Sequence, residues 1–325
     1  MDSGNFFGDS ETQISEGGEA DMHRHFIDCD KNPGHVEFVP IDDFHLENLP
    51  EGYRDNDLLV FMRALAGLTV RVDVKVASAR RPHFWPDTDV VYPFSHLKER
   101  RVWRTGSGRV CDVRKFQSGL AQSGSSREGS CAVCRCTKCQ HSDSPSKLWW
   151  EYAVSTATHV VFDDVEASHV TCRLFYDNKD SPMVTLDGFS VENASIQNDR
   201  CKMVCTSCDV NLGSKLDQMV GHFKDAWLKV RDKFIKTRDF DKLTLIVSHP
   251  HGCSKQISVG HWVDKHRVGN EEDLKKFTYT TCTCPGSSGA PIYLVGFSWK
   301  GSVYHLVHCG ASKSGLNYSG AGYIT

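Results

Sequence analysis

Pro285-Gly286-Ser287-Ser288-Gly289-Ala290-Pro291 is a turn that folding alone explains poorly. A glycine two residues before Ser288 lets the backbone N–H groups of Gly286 and Ser288 converge on one point, where they can hold a developing oxyanion. A serine hydroxyl is a weak nucleophile until an imidazole takes its proton, and the imidazole needs a carboxylate to fix its tautomer. Upstream, Thr156-Ala157-Thr158-His159-Val160-Val161 offers the imidazole and Cys208-Asp209-Val210-Asn211-Leu212 the carboxylate. The candidate set is therefore Ser288, His159 and Asp209. Asp241, just before the strand Leu243-Thr244-Leu245-Ile246-Val247 that runs into Ser248-His249-Pro250-His251-Gly252, is the rival acid.

Two further landmarks flank these three. Thr105-Gly106-Ser107-Gly108-Arg109-Val110 precedes the histidine, and Ser248-His249-Pro250-His251-Gly252 leads into Ile257-Ser258-Val259-Gly260. In this order the five stretches resemble the chymotrypsin-like (trypsin-like) serine peptidase clan over residues 68–325, with closer likeness to its high-temperature-requirement-like members than to digestive trypsins. The resemblance implies an all-β dominated fold of two six-stranded antiparallel β-barrels, with an N-terminal tail, a short helix and an inter-barrel helix. It implies a serine endopeptidase acting on a peptide or protein substrate without a catalytic cofactor, with an oxyanion hole at Gly286 and Ser288. It also implies a specificity pocket at Cys282, His308 and Gly310. Cys282 stands where trypsins project an acid, so cleavage after Lys or Arg is not implied, and His308-Cys309-Gly310 is similar to the His-x-Gly of viral relatives that bind glutamine or glutamate. Ser287 replaces the aspartate that pairs with a new N-terminus in trypsins, and Ala290 replaces a glycine.

The 325 residues carry 38 basic and 41 acidic side chains, a net charge of −3, enough chain for two packed units and no strong pull towards polyanions. Acid concentrates at the start, where residues 1–51 pair thirteen Asp or Glu with only Arg24 and Lys31. Residues 1–50 read as an acidic, disordered tail. There is no basic, apolar leader and no run of 18 apolar residues, so the reading is an intracellular, cytoplasmic protein with no membrane contact. In a reducing compartment its 14 cysteines stay free or bind metal.

The body divides into residues 51–236 and 237–325. Asp55-Asn56-Asp57 caps a short helix stopped by Gly67, and Leu68–Val76 alternates apolar and polar residues with the period of a half-buried strand. A polar excursion occupies 115–147. Leu216, Met219, Val220, Phe223, Trp227, Val230 and Phe234 recur at spacings of three and four, which predicts a helix over 214–236 packed by that face.

Within the excursion, Cys131, Cys134, Cys136, Cys139 and His141 crowd into eleven residues, a density that points to a structural zinc. A site made from these alone would be cramped, and Cys201, Cys205 or Cys208 is the alternative source of the remaining ligands. The basic run Lys98, Arg100, Arg101 and Arg104 lacks the aromatic array of a nucleic-acid surface, so nucleic acid is not an expected partner. A catalytically silent scaffold that uses the cysteines to bind partners is the competing reading.

Overall fold

In the computed structural model, residues 8–98, 100–122, 133–298 and 306–325 are described. Cys131 of the cysteine run lies outside them. The described strands form two nine-stranded sheets, not the two closed six-stranded barrels expected from the resemblance. In the first sheet the order is Ser190–Ser195, Arg200–Ser207, Leu148–Thr156, Trp103–Gln117, Thr69–Val74, Val170–Leu174 and Val184–Leu186. The second runs Asp9–Ser10, His308–Ala311, Asn317–Ser319, Leu274–Tyr279, Gln256–Arg267, Leu243–Ser248 and Ile292–Leu294. No ladder among the described residues joins the two ends of either path, so both sheets stay open.

Helices cover what closure would otherwise have covered. Asp55 accepts the N–H groups of Asp57 and Leu58 and starts the helix Asn56–Leu68, whose Leu58, Phe61, Met62 and Leu65 are buried at helical spacing. The long helix Val210–Phe234 lies against it. Phe61, Trp227 and Tyr293 meet with ring centroids 4.9 to 5.0 Å apart, so one apolar cluster joins both helices to strands of both sheets. Each such buried aromatic contributes about 1.5–3 kcal/mol by burial alone.

Residues 8–50 correct a second expectation, because they are ordered and packed rather than a loose tail. Gln13–Ser15 pairs with Trp103–Thr105 of the first sheet, while Asp9–Ser10 and Val39–Pro40 pair with strands of the second. Met22, Phe44 and Leu49 are buried. Charge explains the docking. The strand Thr69–Val74, read as half-buried, is buried on both faces, and its polar side carries Arg71 and Asp73. Arg71 reaches Glu19 of the helix Glu19–Ile27 at 2.8 Å and Asp73 at 2.9 Å, and Arg173 holds both acids as well. The acidic segment thus supplies counter-charges that let a polar sheet face leave water.

Candidate active site

The loop 285–289 is clamped between the two sheets. Ser107 N–H donates to the Ser288 carbonyl at 2.7 Å, Ser107 Oγ to the Gly286 carbonyl at 2.8 Å, and His249 N–H donates to Ser107 Oγ at 2.9 Å. Gly286 has φ +98°, and a Cβ there would collide with the His249 carbonyl, so only glycine suits this turn.

His159 follows the strand Leu148–Thr156. Its Nε2 lies 2.7 Å from Ser288 Oγ and its Nδ1 lies 2.7 Å from Asp199 Oδ2. Asp199 Oδ1 also accepts the His159 main-chain N–H at 3.0 Å. All three side chains are buried. Burial opposes ionisation of Asp199, but the His159 imidazole outweighs it and holds the carboxyl below its ordinary value. An imidazole held between a carboxylate and a serine hydroxyl can take the serine proton and return it to a leaving group.

The acid beside His159 is Asp199, which corrects the sequence reading of Asp209. Asp209 caps the helix Val210–Phe234 by accepting the Leu212 N–H at 3.0 Å. Asp241 accepts from the Tyr53 hydroxyl at 3.2 Å, far from the imidazole in the hydrogen-bond network. Asp199 was hidden because Asn198-Asp199 reads as an ordinary polar turn, here with Asp199 at φ +51°. The missed signal was the alternation after it, Cys201-x-Met203-x-Cys205, which marks a strand. That strand sets Cys201 opposite Thr156 and so brings the turn beside His159. Thr158 Oγ1, 2.6 Å from the Arg200 carbonyl, fastens the two together.

The cleft is filled by the chain itself. The Glu11 carbonyl oxygen accepts from Gly286 N–H at 2.6 Å and from Ser288 N–H at 3.1 Å, so the two expected donors converge on one oxygen. The Glu11 side chain meets His308 Nε2 at 2.6 Å and the Lys31 ammonium. Lys31 also donates to Asn317 Oδ1 at 2.9 Å and to Thr283 Oγ1 at 3.2 Å, and Tyr279 OH backs His308 Nδ1 at 2.6 Å. Burial works against the Glu11 carboxylate, yet His308 and Lys31 prevail and hold its pKa down at about 2. Burial in turn pushes His308 below the ordinary imidazole value. Its Nε2 faces the Glu11 carboxylate and its Nδ1 the Tyr279 hydroxyl, which also donates to the Tyr318 carbonyl at 3.1 Å. Of the residues expected in the pocket, His308 touches Glu11 and Gly310 pairs with Ser10. Cys282 does not line it, since its thiol turns to Glu37 and packs beside Cys29, Phe38 and Cys284.

Besides Cys309 beside His159 and Asp199, two clusters of cysteines and histidines among the described residues have ligand atoms within 4.8 Å of one another. The first joins Cys134, Cys136 and Cys139 of the excursion to Cys208, whereas His141 is exposed and takes no part. Cys136 and Cys208 sulfurs lie 3.6 Å apart, near the ~3.8 Å that tetrahedral thiolates at 2.3 Å from zinc would show. Burial resists ionisation of Cys136, but the Cys139 N–H and the thiols around it bring its pKa down to about 7, while burial and the same thiols push Cys208 up to about 11.

The second cluster, Cys29, His35, His251 and Cys284, is buried and was not foreseen. Its sulfurs are 3.6 Å apart, and His35 Nε2 is 3.5 Å from Cys284 Sγ. His251 Nδ1 is occupied by Gln13 Oε1 at 2.9 Å, leaving buried Nε2 without a hydrogen-bond partner. Both donor sets suit a soft, tetrahedral metal such as zinc.

No family model matches the sequence, and no curated protein does. Among solved structures, the chain is similar in shape to the HtrA-type protease AlgW with tripeptide (10% identity, TM-score 0.39, 80% of this chain and 58% of that one). It is similar to Deg5 (10%, 0.39, 83% and 90%) and to the serine endoprotease from Yersinia pestis (9%, 0.38, 80% and 60%). The chain thus spans under two thirds of the first of these. At such scores no residue correspondence follows, and chemistry must be read from the side chains themselves. No helix among the described residues is long and apolar enough to cross a membrane.

Proposed function

We propose that this protein is a serine endopeptidase. Ser288 Oγ attacks a peptide carbonyl while His159 Nε2 takes its proton, and His159 then protonates the departing amine. Asp199 holds the imidazole tautomer and balances the imidazolium, and the N–H groups of Gly286 and Ser288 receive the oxyanion. Water repeats the sequence on the acyl-enzyme. The observation that carries the reading is the unbroken chain of contacts from Asp199 through His159 to Ser288, ending beside two N–H groups aimed at one carbonyl oxygen.

Zinc belongs to this reading as structure, not as a reactant. Cys134, Cys136, Cys139 and Cys208 would hold one ion and tie the excursion to the start of the long helix. Cys29, His35, His251 and Cys284 would hold a second beneath the serine loop. A reducing, intracellular setting suits both, as thirteen described cysteines are free thiols.

Because Glu11 fills the cleft, the test uses Glu11→Lys, which sets like charges against Lys31 in the pocket. Fluorophosphonate should add once to this variant by intact mass and not at all to Glu11→Lys with Ser288→Ala. A folded Glu11→Lys protein that takes up no probe would end the peptidase reading.

A further inference from the structure

The segment 8–15 crosses the cleft in the manner of a substrate. On the acyl side, Asp9–Ser10 pairs antiparallel with His308–Ala311, and Glu11 N–H donates to the Cys309 carbonyl at 3.3 Å. On the leaving side, Gln13, Ile14 and Ser15 pair with Thr105, Arg104 and Trp103. Between these two ladders lies the Glu11–Thr12 bond, its carbonyl oxygen on Gly286 and Ser288 N–H and its neighbouring side chain on His308 and Lys31. Ladder pairing on both sides of one bond, with that bond's oxygen at the two donors, is how an extended peptide is presented for cleavage.

We propose that Glu11–Thr12 is cut by the chain's own Ser288, and that the same pocket makes the enzyme selective for glutamate on the acyl side of external peptides. The inference rests on the peptidase reading above. Ser288 Oγ bonds to the Glu11 carbonyl carbon as its proton passes to His159. The C–N bond to Thr12 then breaks, and the nitrogen takes that proton to become a free amine. Water, deprotonated by His159, releases Glu11 as a carboxylic acid and restores the serine. Residues 1–11 are freed, residues 12–15 lose their hold on Glu11 and can leave the cleft, and residues 16–50 stay in place through Glu19, Met22 and the Cys29 cluster. Lys31 lies in that retained part, so the pocket keeps its cation after the cut. His308 Nε2, 2.6 Å from the Glu11 carboxylate, together with the Lys31 ammonium on its other oxygen, recognises a carboxylate better than an amide.

The experiment follows full-length protein by intact mass and N-terminal sequencing. Wild type should convert to a chain beginning at Thr12 with a rate constant unchanged by tenfold dilution, and Ser288→Ala should remain whole. The converted enzyme should then cut a peptide of residues 8–15, with the Glu11→Gln and Glu11→Ala peptides slower by ~10²-fold, the scale of losing a hydrogen bond to a charged group. In the converted enzyme His308→Ala should erase most of that difference. An uncut wild type alongside a Glu11→Lys variant that reacts with fluorophosphonate would overturn self-cleavage and leave the peptidase reading intact. Cleavage at another bond, or no preference for glutamate in peptides, would overturn the inference as well. Absence of both cleavage and labelling would remove the peptidase reading with it.

Discussion

Cys134, Cys136 and Cys139 come together because they are neighbours in the chain and need only Cys208 from elsewhere. Cys29 and Cys284 meet across 255 positions. The first cluster closes a surface excursion against Phe116 and Trp149. The second lies under the serine loop, where the His251 N–H donates to the Pro285 carbonyl. The difference is one of coupling. A defect in the excursion has only its local packing to lose, whereas a defect under the cleft moves the donors that hold a carbonyl.

The sharpest break between the two regions uses a pair of aspartates ten residues apart. Asp199→Asn should lower kcat/KM by about 10⁴-fold by holding the wrong imidazole tautomer. Asp209→Ala, beside Cys208 at the excursion's anchor, should leave kcat/KM within twofold and remove about 1 kcal/mol of stability with the lost helix cap. Steady-state kinetics and urea unfolding of both variants measure this, and equal kinetic losses would erase the distinction.

Metal gives a smaller separation. Purified protein should contain two equivalents of zinc, and Cys284→Ala and Cys208→Ala should each retain one. Only Cys284→Ala should lose hydrolysis of glutamate peptides, by on the order of 10-fold or more, since slight displacement of donors and of Lys31 weakens transition-state contacts. Less than 0.2 equivalents in wild type prepared without chelators would dismiss both sites.

The smallest effect concerns acid. A carboxyl whose folded pKa lies below its unfolded value stabilises the folded form above the unfolded value and ceases to as pH falls through the folded one. Glu11 drops from 4.5 to about 2, so docking of residues 8–11 should weaken between those two values. Hydrogen exchange on Ser288→Ala, which keeps the segment attached, should show protection of this stretch falling across that window. Protection unchanged to pH 3 would mean that the ladders, not the ionic pocket, hold it.

What could be read in the chain followed the same divide. The serine turn, His159, the long helix and the strands around Val70 and Leu245 were legible in contiguous residues, and so were three thiols of the excursion cluster, with Cys208 already among the alternatives for the fourth. Asp199 did not, because its meaning depends on a strand pairing that places a commonplace turn beside His159. The second cluster was hidden for the same reason, its cysteines and histidines drawn from segments with no local pattern. Acidity in residues 1–51 suggested disorder because composition counts charges and not the buried Arg71 and Arg173 that receive Glu19. Sheet closure failed as an expectation because two helices fill the core from the side.

Since residues 8–15 are joined covalently to the rest of the molecule, the blocked cleft is a unimolecular matter. Dilution cannot empty it, and a free peptide has to compete with a tethered one whose effective concentration is on the order of millimolar. The uncut chain would therefore be quiet at any abundance, and the onset of activity would be timed by one bond in each molecule instead of by how many molecules are present.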